Sequence, residues 1–261
     1  MAFNIKDIDE TQAPLLDHLI ELRTRLMRCV IALAITFAVC LYFADDIFGI
    51  LVRPLTEAFP AGEGRLIFTR LYEAFFVEIK VALFAAFFVS FPIIANQLWA
   101  FVAPGLYARE KKAFLPFLFA TPILFTMGAS LAYFLVMPTA FKWFLGFEGE
   151  AGGLSQEALP AMGDYLDLVM QFILAFGISF LLPVLLMLLN RAGIVTRSQL
   201  LTSRRYVIVA IFAVAAVITP PDVVSQLLLA TPLILLFEGS LLLMWFSERK
   251  DARLKAAEEE G

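Results

Sequence analysis

The sequence predicts an all-α, polytopic membrane protein: six transmembrane helices in a cupped bundle, the fifth span short, with both termini cytoplasmic. Three observations predict it. Of the 261 residues, 61% are hydrophobic and 27 are phenylalanine, well above the roughly 45–50% apolar content of soluble domains. Six apolar runs lie between polar breaks, most of them near the roughly 20 residues that cross about 30 Å of hydrocarbon. Lysine and arginine gather in alternate loops, as the positive-inside rule requires of cytoplasmic segments. The whole of 1–261 reads as a single integral membrane domain that ends in a charged cytoplasmic tail, 247–261.

The chain enters the first span through an amphipathic stretch, 17–28. Leu15, Leu19, Leu22 and Leu26 recur at helical spacing on one face, and Asp17, Glu21, Arg25 and Arg28 on another. Arginines ahead of an apolar run mark the cytoplasmic side, so Glu21 among them is the anomaly. Two readings are open: an i,i+4 ion pair with Arg25 worth roughly 0.3–0.5 kcal/mol, or a carboxylate kept for a positively charged ligand. The mixed charge here, with no short apolar region and small-residue cleavage site, predicts a retained helix and no cleaved signal.

The first span covers about 26–44. Its cysteines, Cys29 and Cys40, sit about 16 Å apart along one helix at 1.5 Å per residue, too far for a disulfide. An apolar segment at 47–59 is expected to lie on the outer surface as a helix broken by Pro54. The second span, about 77–101, contains Pro92, Asn96 and Gln97; Glu78 and Lys80 at its start read as side chains snorkelling to the outer interface. The third runs over about 113–137. The fourth, about 165–189, carries Pro183 as a kink, with Asp164 and Asp167 at its outer end as capping, solvated charges. The fifth, 206–218, gives only about 20 Å of helix and must pinch the bilayer or shelter against a neighbour. Thr219, Pro220, Pro221 and Asp222 then force a tight turn. The sixth, about 223–246, carries Gln226, Pro232 and Glu238. Loops 45–74 and 139–163 read as outer caps. The two groups of three spans share no repeat, which weakens an inverted-repeat transporter.

Orientation follows from the basic residues. Lys6, Arg23, Arg25 and Arg28, then Arg109, Lys111 and Lys112, then Arg191, Arg197, Arg204 and Arg205, then Arg249, Lys250, Arg253 and Lys255 fall on one side. Against them stand Arg53, Arg65, Arg70 and Lys142. Both termini are placed inside. A net charge of −4 without a long basic block argues against nucleic acid as a partner.

Catalytic chemistry is hard to find. The chain has neither GxxxxGK[ST] nor GxGxxG, so it offers no nucleotide cradle, and no cofactor is expected. His18 is the single histidine and precedes the spans, which removes a histidine-based zinc site and leaves Gly128-Ala129-Ser130 without a base. No enzyme and no metal site are expected. The remaining polar material lies at three places, one of them the pair Glu78 and Lys80 at the start of the second span. Glu110 interrupts the basic loop 104–112; alone it is a charge that suits the start of the third helix. Together, Glu21 and Glu110 form a pair of rim carboxylates able to hold two guanidinium groups. Two such contacts supply about 3–6 kcal/mol, short of the roughly 8 kcal/mol of micromolar binding, so the ligand must also carry an apolar segment. In the last span, Glu238 lies about 18 Å inward of Gln226 and reads either as a paired structural group or as a functional one. The competing class is a small-solute or ion transporter with a polar path through Asn96, Gln97, Gln226 and Glu238.

Four segments carry a family resemblance: His18-Leu19-Ile20-Glu21-Leu22-Arg23-Thr24-Arg25, the stretch from Trp99 to Glu110, Ala175-Phe176-Gly177-Ile178-Ser179-Phe180, and the stretch from Thr219 to Gln226. In order and spacing they resemble TatC, the multispanning subunit of the twin-arginine protein translocase. The resemblance implies a receptor for the paired arginines of signal peptides on folded cargo, in the bacterial inner membrane, working on the protonmotive force. It implies signal contacts at Glu21 and Glu110, with Phe101, Leu106 and Arg23 nearby. It also implies docking of the single-span partners TatA and TatB, in an oligomeric receptor complex, on the last two spans, where Tyr206, Gln226 and Glu238 lie. Pro54, Tyr133 and the turn Pro220-Pro221-Asp222 fall on family-typical positions. The chain departs from the pattern at Leu181, where family members often carry an acid; Glu238 is a candidate to take part of that role.

Overall fold

The computed structural model describes residues 6–59, 64–106, 111–219 and 223–259. The amphipathic entry and the first span form one helix, α1 (Lys6–Tyr42), of 37 residues. A one-residue break at Phe43 leads into α2 (Ala44–Thr56), which buries Ala44, Leu51, Pro54 and Leu55. Then comes α3 (Glu73–Leu106). It packs on α1 through small residues: Ala82 and Ala86 meet Cys40 and Ala44, and the Thr36 hydroxyl donates to the Ala86 carbonyl at 3.2 Å. Small side chains allow two helices this close where lipid supplies no hydrophobic drive.

Pro54 does not break its helix. It lies in the last turn of α2, and the bond it cannot make is replaced from elsewhere. A proline at 54 frees the carbonyl of Ile50 four residues back, and the Tyr133 hydroxyl donates to that oxygen at 2.6 Å. The Tyr165 hydroxyl donates to the next carbonyl, Leu51, at 2.8 Å. Two tyrosines from distant helices thus fix α2. Tyr133→Phe is expected to cost about 1 kcal/mol, read as a lowered midpoint in thermal unfolding in detergent.

After α4 (Lys111–Leu131) the chain passes through a π turn, Ala132–Val136, into α5 (Met137–Leu145). The third span is expected to end at about 137, and the helical path runs on past that point to Leu145. A widened turn absorbs the ring and missing amide of Pro138, so the helical path continues to Leu145. The loop that follows holds a hairpin absent from the sequence reading: β1 (Gly149–Ala151) pairs antiparallel with β2 (Leu154–Gln156). Gly152 and Gly153 turn it with φ of 62° and 84°, where a side chain would be strained.

The fourth span is α6 (Met162–Ser179), then a kink at Phe180 and Leu181, then α7 (Leu182–Arg191) with Pro183 in its first turn. This is the predicted bend. Short α8 (Arg197–Thr202) is opened by a capping box between Thr196 and Gln199. The apolar α9 (Arg204–Ile218) has 15 residues, about 22 Å of helix. Its last turn closes on Thr219, whose amide and hydroxyl both donate to the Ala215 carbonyl. Pro220, Pro221 and Asp222 lie outside the described residues. The final helix, α10 (Val223–Glu259), runs through Pro232 and continues beyond 246, so the charged tail is helical backbone. Among the described residues, five stretches are long and apolar enough to cross a membrane: His18–Tyr42, Glu73–Phe101, Phe117–Leu145, Met162–Arg191 and Val223–Arg249.

Two apolar clusters organise the interior. One joins α2, α3, α5 and α6 around Leu51, Val81, Phe141, Leu166 and Phe172. The other joins α6, α9 and α10 around Phe176, Ile211, Leu229, Phe237 and Met244. Between them α4 and α6 touch at glycines. A Cβ on Gly128 would stand 2.4 Å from the Phe176 carbonyl oxygen, and one on Gly177 would stand 2.7 Å from the Phe125 ring. That ring is itself stacked on Phe91 at 3.7 Å between centroids.

At the end where α3 and α6 begin, three charged groups do more than the sequence indicated. Lys80 is not simply snorkelling: its Nζ lies 2.9 Å from Asp167 and ties α3 to α6. Nor is Asp167 merely a solvated cap. Glu73 accepts from the Thr69 amide at 2.7 Å, the Thr69 hydroxyl at 3.0 Å, the Arg70 amide at 3.2 Å and the Gly163 amide at 2.8 Å. The residue preceding α6, Ala161, has no capping side chain, so Glu73 supplies from another segment what a local Ser or Asp usually provides. Glu73→Ala is expected to lower stability by removing the acceptor for these amides, and a lowered midpoint of thermal unfolding would show it.

Candidate binding rim

At the opposite end, α1 and α3 bring together residues far apart in sequence. The His18 ring stacks on Phe101 with centroids 4.2 Å apart and planes 11° apart. One turn later on α1, Glu21 points the same way: its Oε2 lies 3.6 Å from His18 Nδ1. Its Oε1 accepts from Arg25 Nε at 2.9 Å and from Arg25 Nη2 at 2.6 Å. The intrahelical ion pair considered from spacing is therefore present, and it occupies one carboxylate oxygen. A carboxylate offers about four acceptor sites. Oε2 makes no hydrogen bond among the described residues, and the side chain is 33% exposed. The group can still receive a second guanidinium.

Around it the surface is apolar. Leu19, Ile20 and Leu22 are exposed along α1. The Trp99 indole donates to the Thr121 hydroxyl at 2.7 Å, pinning this end of α3 to α4. Of the residues expected in the site, Glu21 and Phe101 are thus neighbours, joined through His18. Arg23 is exposed on α1. Leu106 belongs to the last turn of α3, its side chain outside the described residues, and Glu110 falls outside them altogether. The role of His18 as the bridge was missed. A histidine three positions before Glu21, on the same helix face, was the available signal.

The last two helices hold the other expected site. Gln226 Nε2 donates to the Phe212 carbonyl at 3.1 Å, and Glu238 Oε1 lies 2.6 Å from Arg204 Nε. Two polar contacts, one at the start of α9 and one near its middle, clamp α9 against α10. Glu238 is thus ion-paired. Tyr206 is exposed; the Arg205 guanidinium lies over its ring at 4.8 Å and donates to its hydroxyl at 3.0 Å. Tyr206, Val209, Ala213 and Val217 fall on one face of α9 and all are exposed. Leu181 packs beside Phe91 and Phe125, while Glu238 is held by α9.

Membrane-length apolar helices, with charged side chains collected toward their ends, define a multi-pass helical membrane protein. The family model described as Sec-independent protein translocase protein (TatC) matches residues 17–232. A Sec-independent protein translocase protein TatC from Magnetococcus marinus is 48% identical over 250 residues, covering 96% of this chain and 90% of its own length. One from Haemophilus influenzae is 41% identical over 247 residues, with 95% and 94% covered. A crystal structure of the twin-arginine translocase receptor TatC superposes with a TM-score of 0.75 at 40% identity, over 87% of this chain and 98% of that one. The chain belongs to the TatC family of Sec-independent protein translocase proteins. The transporter reading finds no support in these likenesses.

Proposed function

We propose that this chain is the signal-peptide receptor and core scaffold of a twin-arginine translocase. The observation that carries the reading is the juxtaposition of Glu21 and Phe101 through His18, on the fold of a protein described as a twin-arginine translocase receptor. Glu21 and Glu110 each bind one guanidinium of an arginine doublet. Phe101 and Leu106 supply the apolar wall for the segment that follows it, and Arg23 keeps the rim open to the phosphate level of the membrane. The rim faces the cytoplasm, both termini are inside, and α9 is the short fifth of six spans in one membrane domain. Folded cargo moves on the protonmotive force, and the chain acts without catalysis.

The exposed stripe of α9, with Tyr206, and the adjoining face of α10, shaped by Gln226 and Glu238, receives TatA and TatB in an oligomeric complex of the bacterial inner membrane. The turn at Pro220, Pro221 and Asp222 sets the angle between the two helices. A photocrosslinker at Val209 or Ala213 is expected to label a single-span partner, while the same group at buried Ala215 labels none; equal labelling would contradict the assignment. The receptor reading itself is tested by titrating the purified protein with a signal peptide carrying adjacent arginines. Submicromolar to micromolar binding that falls when both arginines become lysine supports it. Solute flux through liposomes containing this chain alone, with no peptide preference, would favour a transporter instead.

A further inference from the structure

At the end of the bundle away from Glu21, the start of α3 and the start of α6 enclose a cavity of about 410 Å³ lined by Arg70, Tyr72, Glu73, Lys80, Asp164 and Asp167 among others. The charges there are of both signs and differ in how they are partnered. Lys80 and Asp167 neutralise each other. Both oxygens of Glu73 are taken by backbone amides and the Thr69 hydroxyl. One cation and one anion are left over. Among the described residues, Arg70 makes only a long 3.5 Å side-chain contact to the Tyr72 hydroxyl, and Asp164 makes no hydrogen bond or ion pair.

The cavity also has a defined depth. Glu73 and Met162 are the first residues of two membrane-length apolar stretches, so the lining lies at the level of lipid headgroups. Beside it Tyr72, Phe75 and Phe76 expose their rings, the amphipathic surface expected against the glycerol and upper acyl region.

We infer that this cavity binds the headgroup of a zwitterionic phospholipid with a primary amine, its phosphate on the Arg70 guanidinium and its ammonium on the Asp164 carboxylate. A guanidinium matches a phosphate with paired donors, and a primary ammonium gives a carboxylate hydrogen bonds that a quaternary one cannot. An anionic headgroup is disfavoured, because carboxylates outnumber cations in the lining and Lys80 is already engaged. The inference stands apart from signal recognition at the other end of the molecule.

The test is native mass spectrometry of the full chain in detergent, titrated with phosphatidylethanolamine, its N-acetylated derivative, phosphatidylcholine and phosphatidylglycerol. Phosphatidylethanolamine is expected to be retained at roughly tenfold lower concentration than the other three, the size of one charge-assisted contact. Asp164→Asn is expected to erase the preference for the free amine, Arg70→Gln to weaken retention of every lipid, and Glu21→Ala to change neither. Equal retention of the acetylated lipid, preference for phosphatidylglycerol, or an amine preference that survives Asp164→Asn would overturn the inference. The acetylated lipid needs no variant, so a misfolded protein cannot imitate the result.

Discussion

Replacing Glu21 with alanine is expected to weaken binding of a twin-arginine signal peptide by roughly 10- to 150-fold, the equivalent of losing one charge-assisted contact of about 1.5–3 kcal/mol. The substitution does two things at this rim. It removes the acceptor that already holds Arg25 and faces His18, and it leaves the Arg25 guanidinium without that partner where the peptide's arginines are proposed to dock. Repulsion thus adds to the lost contact, and the effect should shrink as salt rises. Stability should change little, because an ion pair at a partly exposed i,i+4 spacing contributes only about 0.3–0.5 kcal/mol. Fluorescence anisotropy with a labelled peptide, beside a thermal unfolding curve, separates the two. A variant that binds normally would remove Glu21 from the site, and one that fails to fold would make it a structural residue.

Gly128→Ala is expected to be the most damaging small substitution in the membrane interior, at about 3 kcal/mol or more. The added carbon would lie 2.4 Å from a backbone carbonyl oxygen, that of Phe176. A backbone atom in mid-helix cannot rotate away, so α4 and α6 must separate along a line that both apolar clusters share. Gly177→Ala is expected to cost less. The atoms it meets belong to the Phe125 ring, which can tilt at the expense of its stack on Phe91. Yield from membranes and the midpoint of thermal unfolding measure both, and the order of the two variants is the informative result. If Gly177→Ala proves the worse, packing at this crossing is governed by the aromatic stack and not by backbone approach.

Much of the fold was legible because the bilayer imposes a coarse rule. A run of apolar residues long enough to span must be helix, and Pro183 after a long run predicts the bend seen at Phe180 and Leu181. Prolines misled elsewhere. Pro54 looks like a helix break in sequence, yet Tyr133 donates to the carbonyl that Pro54 leaves free, and a π turn just before Pro138 lets the helical path continue through it. Both compensations depend on partners or geometry that no local pattern shows. The hairpin at 149–156 escaped for a different reason: its strands are three residues each, too short for alternation to register.

The rim was legible in kind but not in arrangement. Glu21 stood out because a carboxylate is the odd member of an arginine cluster placed just ahead of an apolar run. That Phe101 would lie beside it required knowing that α1 and α3 run side by side, which small residues such as Ala82 and Ala86 encode only weakly. Long-range pairs such as Lys80 with Asp167, or Glu73 with Gly163, were invisible for the same reason. Each residue has an adequate local explanation, and only the packed chain shows that it is engaged elsewhere.

The account turns on a direct contact between the carboxylates of the rim and the arginine doublet, and a double-mutant cycle on binding affinity measures that contact. The partners are Glu21→Gln and Glu110→Gln in this protein and each arginine of the peptide changed singly to glutamine. Direct pairing predicts that one arginine couples to Glu21 and the other to Glu110, each by about 1 kcal/mol or more, so that the second change costs little once its partner is gone. Strictly additive losses, with no coupling for either carboxylate, would contradict it.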